Sequence, residues 1–215
     1  MLAAPRRRAP AAVDRTRAAV AVMVAIAGFS AALALRARFD PWLMTAGAAA
    51  VSIALAGWAL GRARLAQLFE VSPRDAVIAV ALGIFLVAAT HAAYWVVPFA
   101  FRHEIRVLYG AIDGGIPRPV LAVITAGVVV AEELVWRAAA LELLRPRQGP
   151  RAAGVVAVVL YVVPQVIGGA WLLMLAAVGL GALFTVQRLV TGRLVAPLLT
   201  HAVWSVAIFV VVPLT

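Results

Sequence analysis

Ala131-Glu132-Glu133-Leu134-Val135-Trp136-Arg137 is a charged insert in an apolar run, with Val120 to Val130 on one side and Ala138 to Leu141 on the other. Placing one ionisable group such as aspartate at the centre of a bilayer helix costs about 2.5 to 3.5 kcal/mol on insertion scales. A chain that keeps two acids there has a use or a partner for them. Glu133 and Arg137 stand at i and i+4 with the acid on the N-terminal side, the favourable orientation for an ion pair along one helix face. Glu132 is turned about 100° away and has no cation three or four residues on. The spacing pairs Glu133 with Arg137 and leaves Glu132 as the carboxylate with chemical freedom. The competing reading is purely structural, an ion pair that holds the fold beside a protonated acid that bonds a neighbouring helix.

The rest of the chain agrees with a bilayer setting. It is 65% hydrophobic over 215 residues, in long apolar blocks, with a mean hydropathy of +1.03. That composition predicts an all-α, polytopic transmembrane helix bundle with no soluble domain left over. The net charge of +10 comes entirely from arginine, and the arginines stand at the ends of the apolar blocks. This pattern is topological, so membrane lipids and not nucleic acid are the expected surroundings. With no cysteine, disulfides, thiolate metal sites and a cysteine nucleophile are excluded.

In chain order, residues 1–17 read as a disordered, arginine-rich cytoplasmic arm carrying Arg6, Arg7, Arg8, Arg15 and Arg17. Residues 18–118 read as N-terminal transmembrane helices, with apolar blocks at 18–35, 41–60 and 76–99. Between the second and third lies a polar connection, Arg62 to Asp75, with Leu65, Leu68 and Phe69 on one side, expected along the membrane surface. The third block ends in Arg102, His103, Glu104 and Arg106 ahead of a Gly/Pro loop, 110–119. Residues 119–215 hold four further blocks, 120–144, 152–167, 170–186 and 194 onward, divided at Gln148-Gly149-Pro150, Gly168-Gly169 and Thr191-Gly192. About seven spans with the N-terminus inside satisfy the positive-inside rule and describe a multi-pass protein of the cell's inner (plasma) membrane.

Depth along the helices brings distant polar residues level. Glu132 lies ~20 Å from the arginines after the fourth block and Gln165 ~21 Å from Arg151, while His201 lies ~12 Å beyond Arg193. Three polar groups from three helices can therefore meet in one layer. Taken singly, His201, Gln165 and Ser205 read as helix-packing contacts, and so does His91.

These residues resemble the motifs of the CPBP intramembrane endopeptidases, the CAAX prenyl proteases and bacteriocin-processing proteins. Glu132-Glu133-x-x-x-Arg137, with Trp136 before the arginine, matches the first motif, and Thr191 to Trp204 resembles the approach to the last. The second motif reads Tyr161-Val162-Val163-Pro164-Gln165, with glutamine at the histidine position. The third reads His201-x-x-x-Ser205, with serine at the asparagine position. The resemblance implies that Glu132 is the general base activating a water, that Glu133 and Arg137 support it, and that His201 is an oxyanion donor. An amide cannot exchange the water's proton, and losing a positioned acid/base removes about 10²–10⁴ in rate. Losing one oxyanion donor removes about 10²–10³.

No metal or other cofactor is expected. No His-Glu-x-x-His register occurs, and Arg137 competes electrostatically with a cation at Glu132, Glu133 and His201. There is no Gly-rich phosphate loop. Ser205 and His201, four apart without an orienting acid, read as a helix-face pair and not as a serine-protease pair. Two readings follow. The chain is an intramembrane glutamic-type endopeptidase cutting a peptide or membrane-protein substrate at the inner side of the membrane. Alternatively, it is a catalytically degenerate relative that binds or regulates another membrane protein. A proton-relaying carrier would need an inverted repeat, and no internal repeat is found.

Overall fold

The computed structural model describes residues 13–96, 102, 105, 106, 109, 110 and 116–214. Arg6, Arg7 and Arg8 of the arm, His103, Glu104 and part of the loop before Ile116 lie outside them. Among the described residues the structure is helical, with no strand. The helices are α1 (Arg15–Ala34), α2 (Pro41–Leu68), α3 (Pro73–Val96), α4 (Arg118–Glu132), α5 (Leu141–Ile167), α6 (Trp171–Thr191) and α7 (Val195–Val206). A π-helical stretch, Glu133–Ala140, joins α4 to α5, and a second, Ala207–Val211, extends α7. Among the described residues, five helical runs are long and apolar enough to cross a membrane, and Val195–Val211 is a shorter apolar one.

Local chemistry sets the helix ends. Asp14 caps α1 by accepting from Arg17 N at 3.1 Å, so the helix starts at Arg15, inside the segment read as an arm. Asp40 caps α2, accepting from Trp42 N and Leu43 N at 2.9 Å, with Pro41 at the first helical position. Gly61, at φ +69°, breaks α2 after its apolar part. The segment beyond the break turns one side to the bundle and leaves Arg62, Ala66 and Glu70 exposed. Leu68 is fully buried, and its carbonyl accepts from Leu194 N at 2.8 Å.

The run Arg118–Ile167 is 50 residues long, ~75 Å as a straight helix and far more than a bilayer's thickness. Gly149, at φ +74° and followed by Pro150, divides it into two limbs. The limbs fold back on each other, with the Trp136 and Tyr161 ring centroids 5.9 Å apart. Around them, α1 packs on α2 and α5, α6 packs on α5, and α3 packs on α7. The α3–α7 crossing is close: a Cβ on Gly83 would stand 2.7 Å from that of Val203. Beside it, Thr200 Oγ1 donates to Ala79 O at 3.0 Å. Such close approach of small residues, with hydroxyl bonds between helices, is how helices associate in lipid, where the hydrophobic effect does not drive them together.

Candidate active site

The polar layer begins where α4 turns into the π-helical stretch. Every side chain from Glu133 to Ala140 is buried, Glu133 fully and Arg137 to 1% exposure. Arg137 Nη1 lies 3.3 Å from Glu133 Oε1, which is the ion pair expected from their spacing. Arg137 Nη2 donates to Gly181 O at 3.4 Å, and the guanidinium lies 4.4 Å from the Tyr161 ring centroid and 5.4 Å from that of Phe184. Two aromatic faces and a carboxylate thus share one cation in a water-poor interior, where cation–π attraction reaches about 2 kcal/mol. The backbone carbonyl of Arg137 accepts from Arg188 Nε at 3.1 Å.

His201 links both acids. Its Nδ1 is 2.9 Å from Glu133 Oε1 and its Nε2 is 3.6 Å from Glu132 Oε2. The Phe184 ring stacks on the imidazole at 4.5 Å and fixes its plane. In the tautomer protonated at Nδ1, Glu133, the carboxylate beside Arg137, accepts that proton. In the neutral ring Nε2 therefore turns its lone pair toward Glu132. Tyr161 Oη donates to the same Glu132 oxygen at 3.0 Å.

Glu132, Tyr161, Gln165, His201 and Ser205 line one cavity of about 630 Å³. The rest of its lining is mostly apolar, Phe29, Val128, Leu172, Leu180 and Phe209 among it, with Thr125, Thr45, Arg36 and Asp40 as further polar members. Four of the six sequence-predicted site residues thus share one space, and the other two, Glu133 and Arg137, are buried next to it. Gln165 reaches the cavity, and the amide orientation that suits its neighbours has the nitrogen donating to Tyr161 O at 2.7 Å and Val162 O at 3.2 Å, within its own helix. Ser205, one turn after His201, is buried at the cavity wall. His91 lies elsewhere, with Nδ1 against Val87 O and Nε2 against Val212 O. Among the described residues, no group of three His, Asp or Glu side chains is disposed to hold a metal ion.

Sequence reasoning missed three partners. Tyr161 was legible as the aromatic of the second motif, but its bond to Glu132 depends on how the two limbs fold at Gly149. Phe184 has no signal of its own in an apolar block. Arg188, which reads as a flanking positive charge, is 1% exposed and lies 3.1 Å from Glu142 Oε1, where Arg64 also binds. These two cations and one acid brace the arginine-rich end of α2, α5 and α6.

Gly181 sets how tightly α6 closes over the site. A Cβ there would stand 2.8 Å from Tyr161 Cδ1 and 3.3 Å from Arg137 Nη2. Gly181→Val is expected to destabilise the bundle by about 1 to 3 kcal/mol, the usual cost of overpacking, seen as an earlier unfolding midpoint in detergent.

Residues 115–207 match the family model described as type II CAAX prenyl endopeptidase Rce1-like, consistent with the CPBP family. No curated protein and no solved structure matches the chain.

Proposed function

Given that residues 115–207 form an Rce1-like segment, we propose that this membrane protein is an intramembrane endopeptidase of the CPBP type. In this reading Glu132 takes the proton of a water that attacks a peptide carbonyl. The observation that carries it is the contact of His201 with both acids, Nδ1 on Glu133 and Nε2 toward Glu132. With Gln165 in place of the second-motif histidine, His201 takes over as proton partner of Glu132 and later returns that proton to the leaving amine. Tyr161 holds the carboxylate in place, and Glu133 with Arg137 fixes the imidazole. Ser205 remains on the cavity wall as a hydroxyl donor for the developing oxyanion. The substrate is a peptide or membrane-protein segment, and the setting a plasma membrane.

One observation favours the second reading, a binding or regulatory protein without turnover. Gln165 is an amide bonded back to its own helix once its nitrogen faces the acceptors, so the histidine position of the second motif offers the cavity no proton-transfer group. Peptide cleavage in membranes by the native chain, Glu132→Ala and Gln165→His separates the two. Cleavage by the native chain that Glu132→Ala abolishes is the expected result. Activity that appears only in Gln165→His and depends on Glu132 assigns the native chain to the binding class. Silence of all three removes the enzyme reading.

A further inference from the structure

The cavity has a direction. One end of the bundle gathers the starts of α1, α3 and α7 with the end of α2. Arg15 Nη2 donates to Leu143 O at 3.4 Å, Leu194 N to Leu68 O at 2.8 Å, and Arg193 Nη1 lies 3.3 Å from Asp75 Oδ2. That end carries Arg15, Arg17, Arg145, Arg147, Arg151 and Arg193, and Arg6, Arg7 and Arg8 precede it in the chain. The opposite end joins the finish of α1 to the turn after α5, where Arg36 Nη1 donates to the carbonyls of Leu33 and Gly168. It carries far fewer cations, Arg36, Arg38 and Arg118 among them. Arginine excess marks the cytoplasmic face of a polytopic protein.

The cavity lining runs from Glu132 and His201 to Arg36, Asp40 and Gly169, all three exposed at the arginine-poor end. No arginine of the opposite end lines it. Resting on the proteolytic reading above, we infer that the substrate enters from the extracytoplasmic end, as an apolar segment of an exported or membrane-anchored polypeptide. Behind Arg36 and Asp40 at the mouth, the walls toward Glu132 are mostly apolar, Phe29, Val128, Leu172 and Leu180 among them, and fit a hydrophobic stretch. This places the substrate on the face opposite the inner side expected from the sequence.

The chain lacks cysteine, so single-cysteine variants report the accessible face without background. Ala170, half-buried in the cavity lining, and Arg147, exposed at the arginine-rich end, are the two probes. A membrane-impermeant maleimide is applied to sealed right-side-out and inside-out vesicles containing the full chain. Ala170→Cys is expected to react only in right-side-out vesicles and Arg147→Cys only in inside-out ones. Reaction of Ala170→Cys from the face that labels Arg147→Cys, from both faces, or from neither overturns the inference. Cleavage assays on the same vesicles keep the two proposals apart. A native chain that cuts nothing counts against the protease, whereas the labelling pattern decides the entry face in either case.

Discussion

Arg137→Met is expected to cost about 3 to 5 kcal/mol of stability, the usual penalty for stranding one charge of a buried pair. Glu133 is fully buried, and its ionic partner is Arg137 at 3.3 Å. Without that cation the carboxylate keeps only the imidazole of His201, and the Tyr161 and Phe184 rings lose the charge between them. Denaturant unfolding in detergent measures the loss. The companion variant carries Glu133→Gln as well as Arg137→Met and leaves no lone charge behind. It is expected to be more stable than Arg137→Met alone, since removing both members of a buried pair is often close to neutral. Equal destabilisation of the two variants would mean that the pair contributes by packing and not by charge.

The second large effect falls on turnover and leaves the fold nearly untouched. Glu132→Gln keeps the shape of the side chain and its capacity to accept from Tyr161, but removes the base, so cleavage is expected to fall by about 10²–10⁴. His201→Gln should cost a similar factor if, as proposed, the acid passes the water's proton to Nε2, which lies 3.6 Å from Glu132 Oε2. Groups that act as one unit are grossly non-additive, so the double variant should lose little more than either single one. Multiplied losses would show that His201 works separately, as an oxyanion donor. Unfolding midpoints should stay near the native value for Glu132→Gln, whose side chain is 12% exposed at the cavity.

Much of this arrangement was legible because charge in an apolar run is expensive and therefore informative. The i, i+4 spacing of Glu133 and Arg137 predicted their contact, and counting residues from the flanking arginines set Glu132 and Gln165 level. Gln148-Gly149-Pro150 marked the fold between the two limbs, and Gly149 adopts the positive φ that such a break requires. What stayed hidden depends on rotation about helix axes. Depth can be counted in a sequence, but the phase of one helix against another cannot. Hence Tyr161 rather than Gln165 meets Glu132, and Arg188 with Arg64 turns inward onto Glu142. The π-helical winding of Glu133–Ala140 was invisible for a different reason: it is a property of the backbone with no residue signature.

That widened coil decides which changes to the chain the layer can absorb. A residue gained or lost between Glu133 and Ala140 would swing everything downstream by a large part of a right angle relative to Glu132. The carbonyl that receives Arg188 would be carried to another side of the coil, and the guanidinium beside Glu133 with it. Exchanges such as glutamine at 165 or serine at 205 alter a side chain without altering angular phase. The molecule should accordingly tolerate point replacements around its cavity and fail with insertions or deletions a few positions into this coil.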